Sequence, residues 1–236
     1  MNNSATINII IVTYNCGSIL QKCLDSIYAQ RHQQLNIIII DGASTDGTVD
    51  IIKANETKLG YWESAKDDGI YDAMNKAVTH LTGNWVYFMG ADDELLPEFS
   101  DMAEQLTDPD AIFYANVLVG QERKLGELSR YQFAKHGPYH QAMIYPASVF
   151  KTYRYDTSYK ISADFDLTLR LAGDKKYHFV YKDFAIAKFN DAGTSGTNVD
   201  WPFQKAKPMI VLKNFGLITY VRYLLHKRKN KHNPRA

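Results

Sequence analysis

Three short apolar runs, each ending in a polar loop, constrain this chain more than any other feature. Ile7-Asn8-Ile9-Ile10-Ile11-Val12 stops at Thr13-Tyr14-Asn15, and Leu35 to Ile40 stops at Asp41-Gly42-Ala43-Ser44-Thr45-Asp46-Gly47. Trp85-Val86-Tyr87-Phe88-Met89 stops at Gly90-Ala91-Asp92-Asp93-Glu94. Continuous runs of this length mark strands buried on both faces, as in a parallel sheet. Helical patterns separate them. From Gly17 to Gln30 the residues Ile19, Leu20, Cys23, Leu24 and Ile27 share one face, and a second helix is expected from about Thr48 to Glu56. A weaker strand, Leu59 to Ala65, leads through Lys66-Asp67-Asp68-Gly69 to a helix from about Tyr71 to Leu81, on which Asp72, Asn75 and Lys76 share a face. Pro97 suits the first turn of a helix reaching about Leu106. Strands alternating with helices across short loops imply an α/β fold, a mostly parallel sheet flanked by helices.

Past the strand Ala111 to Leu118 the pattern weakens. Lys124 to Tyr139 reads as a polar, mobile connection, Gln141 to Tyr145 as a strand, Ala163 to Ala172 as a helix and Ala185 to Phe189 as a strand. Amphipathic helices from about Pro202 to Asn214 and Leu217 to Lys229 close the chain, the last running into His226-Lys227-Arg228-Lys229-Asn230-Lys231-His232. A net charge of +1 argues against nucleic acid as a partner. Cys16 and Cys23, the two cysteines, form neither a disulfide framework nor a zinc pattern, which points to a reducing compartment. With no signal-peptide pattern and no run of about 18 apolar residues, a cytoplasmic location is expected.

Ligands of parallel α/β sheets bind beyond the carboxyl ends of the strands, so the loops after Val12, Ile40 and Met89 are the ones to inspect. The first is neither a GxGxxG fingerprint nor a Walker phosphate loop. Asp41 is placed to take nucleoside hydroxyls or base edges, and equally to cap its own loop. Asp92-Asp93 is the strongest physical clue. Adjacent carboxylates at the end of a buried strand repel each other, and a hard divalent cation relieves that repulsion. Such a cation can bridge a diphosphate and neutralise charge on a departing nucleoside diphosphate. The same pair also suits a solvated turn before Glu94-Leu95-Leu96-Pro97.

Thr13-Tyr14-Asn15, Asp41 to Thr48, Asp68-Gly69-Ile70-Tyr71-Asp72-Ala73-Met74-Asn75-Lys76 and Gly90-Ala91-Asp92-Asp93, in that order, resemble the inverting family 2 glycosyltransferases with the Rossmann-like GT-A fold. The likeness is to bacterial members that build O-antigen, capsule or colanic-acid repeat units, and it spans roughly Ile7 to Ser195. It implies that Thr13, Tyr14 and Asn15 line the nucleoside pocket, that Asp41 holds the uracil or ribose, and that Asp68, Asp72, Asn75 and Lys76 flank the nucleotide. Asp92 and Asp93 match the family's metal motif, with Asp93 expected on Mn²⁺ or Mg²⁺ and Asp92 on the ribose or donor sugar. His140-Gln141 and Ser195, in the loop Asp191-Ala192-Gly193-Thr194-Ser195, are expected near the donor or acceptor.

Ser162-Ala163-Asp164-Phe165-Asp166-Leu167-Thr168-Leu169-Arg170 resembles the segment holding the family's catalytic base, with Ala163 in place of its first acid. Residues two apart on a helix point away from each other, so one acid alone can face the site. Asp166 can pair with Arg170 at spacing four, which leaves Asp164 as the candidate base. The resemblance divides the chain into a nucleotide-binding part (about 1–120), an acceptor-side part (about 121–200) and a helical basic tail (201–236). The donor is expected to be a UDP-hexose, and the acceptor an undecaprenyl-diphosphate-linked saccharide at the inner face of the cell membrane, which the tail contacts. A polyprenyl-phosphate sugar synthase or a non-catalytic nucleotide-sugar-binding subunit are the alternatives.

Overall fold

The computed structural model describes residues 5–189 and 199–229. The three apolar runs lie side by side. β1 (Ile7–Thr13) runs parallel to β2 (Leu35–Asp41), which runs parallel to β3 (Tyr61–Ser64); on its other flank β1 runs parallel to β4 (Trp85–Gly90). Thr13 stands opposite Asp41, so the β1 and β2 loops leave the sheet at one level. Alternation along β1 feeds two cores. Ile7, Ile9 and Ile11 pack with Leu20, Cys23, Leu24 and Ile27 of α1 (Leu20–Tyr28), and with Ile52 of α2 (Thr48–Ala54). Ile10 joins Ile38, Ile40, Val86 and Phe88 beneath Tyr71, Met74 and Ala77 of α3 (Ile70–Ala77).

Asn8 interrupts the apolar run and is fully buried, but its amide is satisfied. Nδ2 donates to the Trp85 carbonyl at 2.8 Å, and Oδ1 accepts from Asn36 Nδ2 and from the Thr82 and Gly83 N–H groups. It ties the starts of three strands together, which is what a buried polar group needs in order not to destabilise.

Beyond β4 the sheet becomes mixed. β5 (Glu94–Leu95) and α4 (Glu98–Ala103) are followed by β6 (Ala111–Val119), β7 (Glu122–Lys124), α5 (Arg130–Lys135), β8 (Met143–Pro146), α6 (Val149–Thr152), α7 (Ala163–Gly173) and β9 (His178–Phe189). Among the described residues the order is β3-β2-β1-β4-β8-β6-β9-β5, with β7 on β6. β8 is antiparallel to both β4 and β6, and β9 is parallel to β6. β4 pairs with β8 from Trp85 to Tyr87, which sets Phe88 level with Met143, so Met89 and Gly90 run past the end of β8. In the opening sits a 3-10 turn, His140–Ala142, whose His140 ring stacks on Phe88 at 4.9 Å.

Several segments differ from the sequence reading: β5 and α6 were not expected, and the strand expected from Gln141 starts at Met143, after the 3-10 turn. The stretch read as a mobile connection contains α5, started by a capping box in which Ser129 and Gln132 exchange hydrogen bonds. The last strand begins at His178 rather than Ala185, because its first half is a half-exposed layer with no continuous apolar run. The closing helices appear as α8 (Trp201–Lys229), broken where expected by Gly216 at φ 79° and ψ 175°. Phe203, Val211, Phe215 and Tyr223 of α8 belong to the same core as α3 and α7.

Candidate functional site

Hydrogen bonds to carboxylates knit the loops after β1 and β2 into one wall. Asp41 is fully buried. Its Oδ1 accepts from Thr13 Oγ1 at 2.9 Å and Ser44 Oγ at 2.5 Å; its Oδ2 accepts from the Ser44 N–H at 2.9 Å and Ser64 Oγ at 2.6 Å. Burial pushes the carboxyl's pKa up, but these donors outweigh it and hold it below its usual value. Asn15 adopts a positive φ of 51°; its N–H donates to Ser44 Oγ and its Oδ1 accepts from the Thr45 N–H. Asp46 accepts from the N–H groups of Gly17 and Thr48. On this wall the Tyr14 ring is 68% exposed, an uncovered aromatic face at the carboxyl end of β1. Gly42 forms the floor, since a Cβ there would lie 2.9 Å from Asp67 Oδ2 and 3.4 Å from Tyr14 Cδ2.

On α3, Asp72 pairs with Lys76 at 2.9 Å and accepts from the N–H of the exposed Asp68. The ion pair lowers the Asp72 pKa and raises that of Lys76. Asn75 is differently engaged: Nδ2 donates to the Tyr155 carbonyl and Oδ1 accepts from the Tyr155 N–H, clamping α3 to the segment ahead of α7.

After β4, Asp93 is 1% exposed and its Oδ2 accepts from the Gly90 N–H at 2.9 Å, whereas Asp92 faces solvent. The carboxylates converge over Gly90, where a Cβ would meet Asp93 Oδ2 at 2.7 Å and Asp92 Oδ1 at 2.8 Å. Among the described residues no three His, Cys, Asp or Glu side chains form a ready-made metal cage. Two adjacent carboxylates nevertheless have the donor chemistry for a hard cation that takes its remaining ligands from substrate phosphates and water.

Asp164 stands in the first turn of α7 and accepts from Tyr71 Oη at 2.9 Å and from the Phe165 N–H at 2.8 Å. The single Tyr71 hydroxyl proton is shared between Asp164 and the Ile161 carbonyl, 2.7 Å away, which fixes the chain just ahead of the acid. Burial, then the Asp164 charge, raises the Tyr71 pKa, so the phenol stays a donor. Asp166 is buried and pairs with Arg170 at 2.7 Å, as the spacing of four predicts; burial lifts its pKa in spite of that partner. His140 Nε2 lies 2.9 Å from the Tyr155 hydroxyl, and burial lowers its pKa although Asp164 pulls it up. Half-buried Gln141 accepts from Tyr87 Oη through its backbone carbonyl, while Ser195 lies outside the described residues.

Asp67, Tyr71 and Asp200 had no role in the sequence reading. Tyr71 stood inside the Asp-Gly-Ile-Tyr-Asp motif, where its spacing of three from Asp68 was a usable signal. Asp200 is buried, caps α8 through the Phe203 N–H, and accepts from the Ile161 and Ser162 N–H groups. Nothing in the sequence announces that contact across 38 residues.

A parallel half with its loops clustered at one end and a mixed half beside it define a GT-A-type α/β protein. The model of the family "Glycosyl transferase family 2" matches residues 8–187, and the chain belongs to that family. A PGL/p-HBAD biosynthesis glycosyltransferase of Mycobacterium bovis is 34% identical over 216 residues, 86% of this chain and 84% of the relative. An uncharacterized glycosyltransferase of Mycobacterium tuberculosis is 31% identical, over 73% of this chain and 71% of its own. In fold, the crystal structure of S. aureus TarS in complex with UDP-GlcNAc matches with a TM-score of 0.72 at 15% identity, covering 95% of this chain and 73% of that one. A mannosyltransferase from Pyrobaculum calidifontis in complex with GDP-Man and Mn²⁺ matches with a TM-score of 0.65 at 15% identity, covering 99% and 78%.

Proposed function

We propose that this glycosyltransferase moves a hexose from a UDP-sugar onto a hydroxyl of a lipid-diphosphate-linked saccharide, with inversion, in the assembly of a bacterial surface polysaccharide. The observation that carries the reading is the Asp164 carboxylate, held by Tyr71 of the Asp-Gly-Ile-Tyr-Asp segment at the junction of the two halves. Tyr14 offers its face to the base, and Thr13, Asn15 and Asp67 shape the pocket around it. Asp41 and Asn75 act by positioning, since their polar atoms serve the Ser44–Ser64 wall and the Tyr155 backbone. Asp68, Asp72 and Lys76 border the diphosphate. Asp92 and Asp93 would hold Mn²⁺ or Mg²⁺, which when bound supplies positive charge to the departing UDP.

Asp164 takes the proton of the acceptor hydroxyl as its oxygen forms a bond to the anomeric carbon. The bond from that carbon to the UDP oxygen breaks, and UDP leaves with the electron pair. An α-linked donor gives a β-glycoside, with no covalent enzyme intermediate. His140 and Gln141 line the acceptor side of the opening past β8. An undecaprenyl-diphosphate anchor would place the reaction at the cytoplasmic face of the membrane; among the described residues no helix is long and apolar enough to cross one.

The test is UDP release from a panel of UDP-sugars, with and without a lipid-diphosphate N-acetylhexosamine acceptor and Mn²⁺ or Mg²⁺, for the native chain and Asp164→Asn. The reading predicts acceptor-dependent release that drops by about 10³-fold or more in the variant. Tight donor binding with no turnover on any acceptor would instead mark a non-catalytic subunit.

A further inference from the structure

The second half of α8 presents a feature that the transfer reaction does not use. Tyr223 is fully buried and turned into the core. At about 100° per residue the opposite face carries Leu217, Val221 and Leu225 at spacing four, with Ile218 and Leu224 beside them. All five are exposed, Leu217 to 66% and Ile218 to 88%. Isolated exposed leucines need no explanation, but a contiguous outward stripe on one helix marks a surface that something covers. Gly216 breaks α8 just before the stripe begins.

Charge narrows what covers it. Exposed Arg222, Arg228 and Lys229 flank the stripe, with the Arg222 guanidinium laid on the Tyr131 ring at 3.9 Å. No Asp or Glu occurs from Trp201 to Ala236. A self-associating face would bring these cations against their own copies. A bilayer with acidic headgroups meets both demands, taking the apolar stripe below the headgroups and the cations at their level.

We infer that residues 217–229 dock the protein in-plane on an anionic lipid bilayer, through Leu217, Ile218, Val221 and Leu225 inserted and Arg222, Arg228 and Lys229 paired with headgroups. This rests on the lipid-linked acceptor only for its purpose, since the surface is defined without it. It also differs from a merely basic tail, because half of the contact is apolar and lies ahead of the basic run.

Flotation of the full chain with vesicles of phosphatidylcholine alone, or with phosphatidylglycerol added, tests it. The native chain is expected to float with the anionic vesicles and much less with the neutral ones. Ile218→Glu/Leu225→Glu is expected to lose the binding, and Arg228→Glu/Lys229→Glu to weaken it by about 30-fold or more. Both pairs are exposed, so circular dichroism and donor binding should match those of the native chain. Equal flotation of Ile218→Glu/Leu225→Glu and the native chain would overturn the proposal. So would failure of the native chain to float with the anionic vesicles, and a concentration-dependent dimer that the same variant abolishes would then mark the stripe as a self-association face. Vesicle binding without sugar transfer would leave the surface standing and remove the transferase reading instead.

Discussion

Asp92 and Asp93 are neighbours in the chain and opposites in environment, and that contrast can be measured. Asp92 faces solvent, so Asp92→Asn is expected to keep the melting temperature within about 1–2 °C. UDP release should fall by about 10²–10³-fold, with a weaker response to added Mn²⁺. Asp93 is buried on the Gly90 N–H, so Asp93→Asn should lose activity and also destabilise the fold by about 1–3 kcal/mol in urea unfolding. The sequence showed the pair but not this division, because burial follows from how the loop folds over Gly90. Asp164 and Asp166 were easier to separate. Helical spacing alone paired Asp166 with Arg170, and the ion pair stands at 2.7 Å. Asp200 escaped notice because its partners, Ile161 and Ser162, are backbone groups that any residue types could have supplied.

At the scale of elements, what could be read depended on burial. β1, β2 and β4 are enclosed on both faces and declare themselves as apolar runs, and their ends fall within a residue of the expected positions. The first half of β9 is partly exposed, and α5 has just two buried residues, Phe133 and Ala134, so neither leaves a strong periodic signal. The capping box Ser129-Arg130-Tyr131-Gln132 did mark the start of α5 and was the cue to use. Gly216 bears on stability directly. A positive φ with ψ near 175° is open to glycine and strained for other residues. Gly216→Ala is expected to cost about 1–3 kcal/mol, read as a lower midpoint in chemical denaturation, with UDP-sugar affinity unchanged.

For the whole molecule, α8 couples the core to its surroundings through Lys207. Its ammonium is buried, donates to the Lys135 carbonyl at 2.8 Å and lies against the rings of Phe165 and Tyr223. Burial, followed by Lys227 and Lys135, brings its pKa down from 10.5 to about 7. Above about pH 7 the unfolded chain therefore holds a proton that the folded chain has released. Stability through this group should rise with pH, by up to about 1.4 kcal/mol per pH unit, until the lysine of the unfolded chain also deprotonates near 10.5. Below about pH 7 both states are protonated, and the contribution stops changing. Lys207→Met is expected to flatten the melting temperature between pH 7 and 10, and an unaltered slope would count against this assignment.

The outward stripe of α8 carries a kinetic consequence. With Leu217, Ile218, Val221 and Leu225 sunk in a bilayer, enzyme and lipid-anchored acceptor would meet by lateral diffusion in a plane. Encounter frequency would then follow the number of acceptor molecules per unit area of membrane, not per unit volume of solution. Diluting the acceptor with inert lipid at constant bulk concentration should slow the native chain. Detergent-dispersed acceptor should erase the difference between it and the stripe variant.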